Sequence, residues 1–336
     1  GLSVSVSDFN RDGWPDVYVG NDFIQPDRLY INNQKGGFED RLGDFFQHTS
    51  QHTMGTDLTD FDNDGLVDLL AMDMLPANNH RRKTLLSTNS QSKQTALMQN
   101  GYFEPVVRNV LQRNNGNGTF SDIGCLAGVY QTDWSWSGLM FDIDNDGLKD
   151  MHITNGYRRE VADRDFTDFV LPEIRKKASG KTKLSEVYPN VEEFLNQIPS
   201  FKPRNFCFQN KGDWTFGDVG GQWITLPGSW SCGSAWADLD ADGDLDLVVN
   251  NLEDPAFVYE NTSRSPSVNQ PNSNFLQIKL QGNAPNPFGV GASVILHTGS
   301  TIQYAEMCPT RGIFSSVEHL FHFGLGNISQ VDALTI

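Results

Sequence analysis

The chain has 336 residues, enough for one large domain and a smaller one, and its 31 glycines, 15 prolines and 22 phenylalanines favour short strands joined by turns over long helices. A net charge of -17 argues against nucleic acid or anionic lipid as a partner, because either needs a basic face to displace its counterions. Cys125, Cys207, Cys232 and Cys308 show no C-x-x-C spacing, which leaves little support for a zinc or redox motif.

An acidic nine-residue pattern opens the chain at Asp8-Phe-Asn-Arg-Asp-Gly-Trp-Pro-Asp16 and returns at Asp60, Asp142 and Asp238, ending at Asp68, Asp150 and Asp246. Each copy precedes a short apolar run, Val17 to Val19, Leu69 to Met72, Met151 to Thr154 and Leu247 to Val249, with the length and residue types of a buried strand. Ser3, Gly55, Ser137 and Gly233 each stand five positions before a loop, where innermost strands converging on an axis tolerate little bulk. After the first three loops a polar Asn/Gly turn closes on Phe38, Phe120 or Phe216, the signature of a hairpin. Each closing Phe lies 22 residues before the next loop's first Asp.

From first Asp to closing Phe the span is 30 residues in the first unit, 60 in the second and 74 in the third. The excess falls in two insertions, residues 75–108 and 157–203, which turn polar and partly helical over Phe166 to Ala178 and Val191 to Ile198. Without insertions the period is 52, the separation of Asp8 and Asp60, and that value with several strands per unit predicts propeller blades.

Oxygen ligands at positions 1, 3, 5 and 9 with glycine at 6 can wrap a hard cation, and position 7 adds its backbone carbonyl. The side-chain ligands this assigns are Asp8, Asn10, Asp12, Asp16; Asp60, Asp62, Asp64, Asp68; Asp142, Asp144, Asp146, Asp150; and Asp238, Asp240, Asp242, Asp246. Carbonyls of Trp14, Leu66, Leu148 and Asp244 complete the sets. All-oxygen ligation on a flexible loop selects Ca²⁺, about four ions in a structural role, with affinities on the order of 10⁻⁴ to 10⁻³ M. Fifteen of the 42 acidic residues are side-chain ligands here, so four ions would bring the net charge from -17 to -9. Asn10 in place of Asp makes the first loop the weakest candidate.

These motifs resemble FG-GAP/VCBS repeats, the calcium-binding blades of integrin-α-type propellers, over residues 1–262. Tyr18-Val-Gly-Asn-Asp-Phe, Asp133-Trp-Ser-Trp-Ser-Gly and Ile153-Thr-Asn-Gly-Tyr are similar to bacterial relatives of cartilage acidic protein, which commonly end in an ASPIC/UnbV domain. Phe275-Leu-Gln-Ile-Lys-Leu, Gly289-Val-Gly-Ala-Ser-Val, Arg311-Gly-Ile-Phe-Ser-Ser and His322-Phe-Gly-Leu-Gly fit that domain over residues 275–336, after a linker at 263–274. The resemblance implies an all-β fold, with further blades upstream and a longer tail.

No catalytic constellation emerges: there is no G-x-S-x-G elbow and no H-E-x-x-H. The expectation is a non-enzymatic module, extracellular or on a bacterial cell surface, that binds a protein or glycan through its insertions, alone or within an outer-membrane complex. The rival class is a polysaccharide-acting enzyme, for which Glu160, Asp163 and Asp165 are the candidate carboxylates. Trp134 and Trp136, two apart on one strand face, suit packing better than sugar stacking. Sequons at Asn117, Asn261 and Asn327 matter only in a eukaryotic source, which the bacterial resemblance disfavours.

Overall fold

Each acidic loop ends where its ninth residue begins a strand, so the repeat in the sequence becomes a repeat of antiparallel meanders. The computed structural model describes all residues except 24, 86–90, 178–187, 189 and 265–272. In the first sheet β1 (Ser3–Ser7) enters the loop and β2 (Asp16–Gly20) leaves it, with Ser7 opposite Asp16, and β3 (Arg28–Asn32) and β4 (Phe38–Asp40) follow in order. A short β5 (Thr49–Ser50) precedes the second sheet, whose strands are β6 (Thr56–Thr59) and β7 (Asp68–Ala71). The chain then passes β8 (Pro105–Val106), which pairs in parallel with β5, and finishes this sheet with β9 (Val110–Asn114) and β10 (Phe120–Asp122).

The third sheet is β11 (Ser135–Phe141), β12 (Asp150–Asn155), β13 (Phe206–Asn210) and β14 (Phe216–Asp218). The fourth has β15 (Ser231–Ala237), β16 (Asp246–Asn251) and β17 (Phe257–Tyr259) among the described residues. First strands pack side by side, β1 on β6, β6 on β11 and β11 on β15, and apolar layers fill the gaps between sheets. Phe9, Tyr18, Leu29 and Phe120 form the first layer, Phe61, Leu70, Met151 and Phe208 the second, and Phe141, Trp236, Leu247 and Val249 the third. Residues that alternate along one strand therefore face two different neighbours, which is the packing of propeller blades.

The small residues expected on the axis have a specific occupant. A Cβ on Gly55 would come within 2.2 Å of the Trp136 carbonyl oxygen, so glycine alone lets β11 approach β6. At Gly233 and Ser137 the neighbour is instead the segment Arg311–Ser316, which arrives from the C-terminal part of the chain. Thr56 and Gly312 exchange backbone hydrogen bonds at 3.0 and 3.4 Å. In β1 the serines Ser3, Ser5 and Ser7 turn inward, Ser5 meeting Thr56 at 2.7 Å between hydroxyl oxygens, while Val4 and Val6 are exposed.

Both insertions follow second strands, which puts them on the side of the blades opposite the acidic loops. The first carries helices at Asn79–Leu85 and Gln91–Gln99. The second opens with a wide turn at Phe166–Val170, continues as a helix at Leu171–Lys177, and has a short helix at Val191–Leu195. The single helix expected from Phe166 to Ala178 thus divides at Leu171, and Ala178 lies outside the described residues. Phe166, Ile174, Tyr188 and Ile198 give this insertion a core of its own.

The C-terminal part pairs β18 (Asn274–Ile278) with β21 (Phe321–Gly326), and sets β19 (Ser293–Thr298) between β20 (Thr301–Glu306) and β22 (Ala333–Thr335). Val294, Leu296, Met307, Phe321 and Phe323 form its separate core. Residues 265–272 of the expected linker lie outside the described residues.

Asp27 ties the first blade together from within. Its carboxylate accepts Tyr18 Oη at 2.5 Å, Thr53 Oγ1 at 2.7 Å and the Asn21 amide at 2.7 Å. Burial outweighs these donors and pushes its carboxyl up to about 7. A folded-state value above the unfolded one, about 3.9, means that this stabilisation is complete in acid and is lost as pH rises through about 7. In saturating calcium the melting temperature should therefore fall between about pH 4 and 7 and level off above that, and Asp27→Asn should flatten that fall; an unchanged slope in differential scanning fluorimetry would contradict the assignment.

Candidate metal centres

In every loop the ninth-position aspartate is buried and does the same two things. Asp16, Asp68, Asp150 and Asp246 are at most 2 % exposed. Through one oxygen they accept the amide of the loop's second residue, Phe9, Phe61, Ile143 or Leu239, at 2.8–3.2 Å. Through the other they accept the amide of Asn32, Asn114, Asn210 or Asn261 at 2.7–2.9 Å. Each of these asparagines donates its side-chain amide back to the carbonyl just before the aspartate, Pro15, Val67, Lys149 or Leu245. Each also accepts the amide two residues on, at Gln34, Gly116, Gly212 or Ser263. Loop and third strand are thereby locked together in all four blades.

Sequence reasoning saw Asn32, Asn114 and Asn210 as turn residues and missed the clamp. Asn261, read as the first residue of a sequon, holds Ile143 and Leu245 through its side-chain nitrogen, which leaves that nitrogen committed to the fold. An asparagine at the end of each blade's third strand was the available signal.

The first-position aspartates build the loop's inner wall. Asp8, Asp60 and Asp142 accept the amides of positions 5 and 6 at 2.7–3.1 Å. Position 6 is glycine with φ from 82° to 95°, the left-handed backbone that turns these amides inward. Position 4 is left-handed too, at Arg11, Asn63, Asn145 and Ala241 with φ near 60°. Asparagine tolerates that conformation, and here it serves a purpose: Asn63 Nδ2 donates to the Gly147 carbonyl at 2.9 Å and Asn145 Nδ2 to that of Gly243 at 3.0 Å. The second, third and fourth loops are chained in this way.

Among the described residues three groups of carboxylates converge closely enough to hold an ion: Asp60, Asp62 and Asp68; Asp142, Asp144 and Asp146; Asp238, Asp240 and Asp242. Within each, ligand atoms lie no more than 4.8 Å apart, where two like charges repel by roughly 3 kcal/mol at an effective dielectric constant of 20. Burial pushes the Asp60 and Asp142 carboxyls up to about 7, and neighbouring loop carboxylates add to the rise. Asp62 Oδ1 and Asp238 Oδ1 are buried without a hydrogen-bond partner. Uncompensated negative charge and orphaned acceptors on an all-oxygen set are the conditions a hard divalent cation satisfies.

The first loop differs. Asn10 and Gln34 donate side-chain amides to Asp12 at 3.0 Å each, so amides occupy an oxygen that the metal reading assigns to the ion. In the second loop Arg113 pairs with Asp62 at 2.5 Å and Asp64 at 2.7 Å, which offsets part of the charge.

Elsewhere, the four cysteines are free. His319 stacks on Phe288 and His322 Nε2 donates to Asn145 Oδ1 at 2.6 Å, so the pair is built into packing. Trp134 and Trp136 both face Tyr157, the first stacked at 4.6 Å. Glu160 pairs with Arg81, and Asp163 accepts the Phe166 amide at 2.9 Å where the second insertion turns.

Ala241 gives a direct test of loop geometry. A left-handed alanine is strained by about 1 kcal/mol, and Ala241→Gly should raise stability by up to that amount in chemical denaturation. Removing calcium with EDTA should act in the opposite direction: a site filled at 100 times its Kd adds about 2.7 kcal/mol, so the melting temperature should drop markedly.

The family comparisons agree with this geometry. The model for FG-GAP-like repeats matches residues 8–71 and 200–249, and that for ASPIC and UnbV matches residues 282–336. No curated protein matches the chain. Among solved structures, one described for specific recognition of non-reducing terminal N-acetylglucosamine by an Agrocybe aegerita lectin aligns at 14% identity with a TM-score of 0.36. The alignment covers 91% of this chain and 66% of that one, just under two thirds, and at that score it bears on neither ligand nor fold. The chain is thus an all-β, propeller-like assembly of FG-GAP repeats that ends in an ASPIC/UnbV domain.

Proposed function

We propose that this chain is a calcium-stabilised extracellular or cell-surface binding module that recognises a protein or glycan through the face opposite its metal loops. The observation that carries this reading is the union of the two insertions. Arg81, from the first, holds Asp133 at 2.7 Å and Glu160, at the start of the second, at 2.5 Å, and Phe201 covers the guanidinium at 4.1 Å. All three charged side chains are buried. Removing one member of such a network costs about 3–5 kcal/mol, so the insertions are set in one fixed relation and present one surface.

That surface exposes Tyr157, Val161, Phe169, Val191 and Phe201. Apolar and aromatic groups on variable segments of a rigid scaffold are suited to recognition. Calcium is the ion the donor set favours, and its role is to clamp the blades. FG-GAP repeats are typical of extracellular or surface proteins, and among the described residues no helix is long and apolar enough to cross a membrane. A place in an outer-membrane complex would use the same face. The non-catalytic reading is supported by the commitment of Glu160 and Asp163 to structural partners.

Pull-down from the native cell surface with the calcium-loaded chain should recover a protein or a glycan, and Phe169→Ala should reduce recovery at least about tenfold while leaving the melting temperature near that of the parent. Equal recovery by both, or none by either, would count against the reading.

A further inference from the structure

The ASPIC/UnbV domain sits directly on the acidic loops. The Tyr304 amide donates to Asp60 Oδ2 at 3.3 Å, and Gln277 Nε2 donates to Asp238 Oδ2 at 2.8 Å. His322 bonds Asn145 Oδ1, and the Gly326 amide donates to the Asn145 carbonyl at 2.8 Å. Gly324 is closest of all: a Cβ there would stand 2.0 Å from Asp142 Oδ2 and 2.6 Å from the Asn145 carbonyl carbon. Gly243 of the fourth loop lies equally close to the Phe275 ring, and Arg264, just past the blades, donates to the Asp242 carbonyl. Near the first loop, Arg11 lies over the Tyr304 ring at 5.6 Å.

The domain therefore touches carboxylate oxygens and turn residues that belong to three candidate ion sites. We propose that ion occupancy and domain docking are thermodynamically coupled, so that the ASPIC/UnbV domain is seated when calcium fills the second, third and fourth loops and loosens when calcium leaves. This rests on the calcium reading above. Without an ion the crowded carboxylates separate, and the docking acceptors on Asp60 and Asp238, and the third-loop turn at Asn145, move with them. A second attachment lies away from the ions. Arg311 forms a two-pronged ion pair with Asp57 at 2.6 and 2.7 Å and donates to the Met140 carbonyl at 2.9 Å, so the axial segment holds while the sheet above it is freed.

Coupling of this kind is reciprocal: if calcium favours docking, docking must tighten calcium by the same factor. Gly324→Ala drives a methyl onto Asp142 Oδ2 and so forces the domain off the third loop, and Gln277→Ala removes one contact to the fourth. In calorimetric titration of the metal-stripped full chain with calcium alone, both variants should bind at least one ion about fivefold or more weakly than the parent. Hydrogen exchange of Phe321–Gly326 in the parent should accelerate on calcium removal more than that of Val110–Asn114. Parental calcium affinity in both variants, or parallel exchange in the two strands, overturns the coupling while leaving the metal sites intact. Should Gly324→Ala not fold, Gln277→Ala decides. A parent chain that takes up no calcium overturns both readings.

Discussion

The buried ninth-position aspartate is the constraint on which the other features rest. Asp16, Asp68, Asp150 and Asp246 are taken out of water, and each is held there by two backbone amides from different parts of its blade. Charge-assisted bonds of this sort offset only part of the desolvation cost. Burial leaves Asp68 and Asp150 with carboxyls raised well above the usual range. The fold thus assembles negative charge that its own side chains neutralise only in part, and on the proposed reading a bound cation would turn that liability into a fastener at the start of each second strand.

The consequences spread outward in two directions. On the loop side, the asparagines at position 4 link one acidic loop to the next, and the ASPIC/UnbV domain closes over them. Its Arg311–Ser316 segment reaches down the axis to the small residues of the first strands. On the far side, the insertions emerge after β7 and β12 and are joined by Arg81. One face is given to holding the blades, which leaves the other free to vary.

Much of this was legible in the sequence. The constant 22-residue interval between closing Phe and the next acidic loop fixed the repeat, since each strand and turn has a set length, and the glycine at position 6 fixed the loop's handedness. What escaped depends on residues distant in sequence. Asn261 meets Ile143 only when blades three and four are side by side. The Arg311 to Asp57 pair spans 254 positions, and no local pattern announces it. Ser3, placed near the axis for its small size, does turn inward, and Ser5 and Ser7 follow it on the same face, Ser5 meeting Thr56, a contact no local pattern announces.

Native mass spectrometry of the chain equilibrated with calcium at neutral pH tests the central claim most directly. The three loops with converging carboxylates should yield a species with three ions, the first loop adding a fourth last, and Asp150→Asn should shift the distribution down by one. A spectrum free of specific calcium adducts, unchanged by Asp150→Asn, would contradict the account.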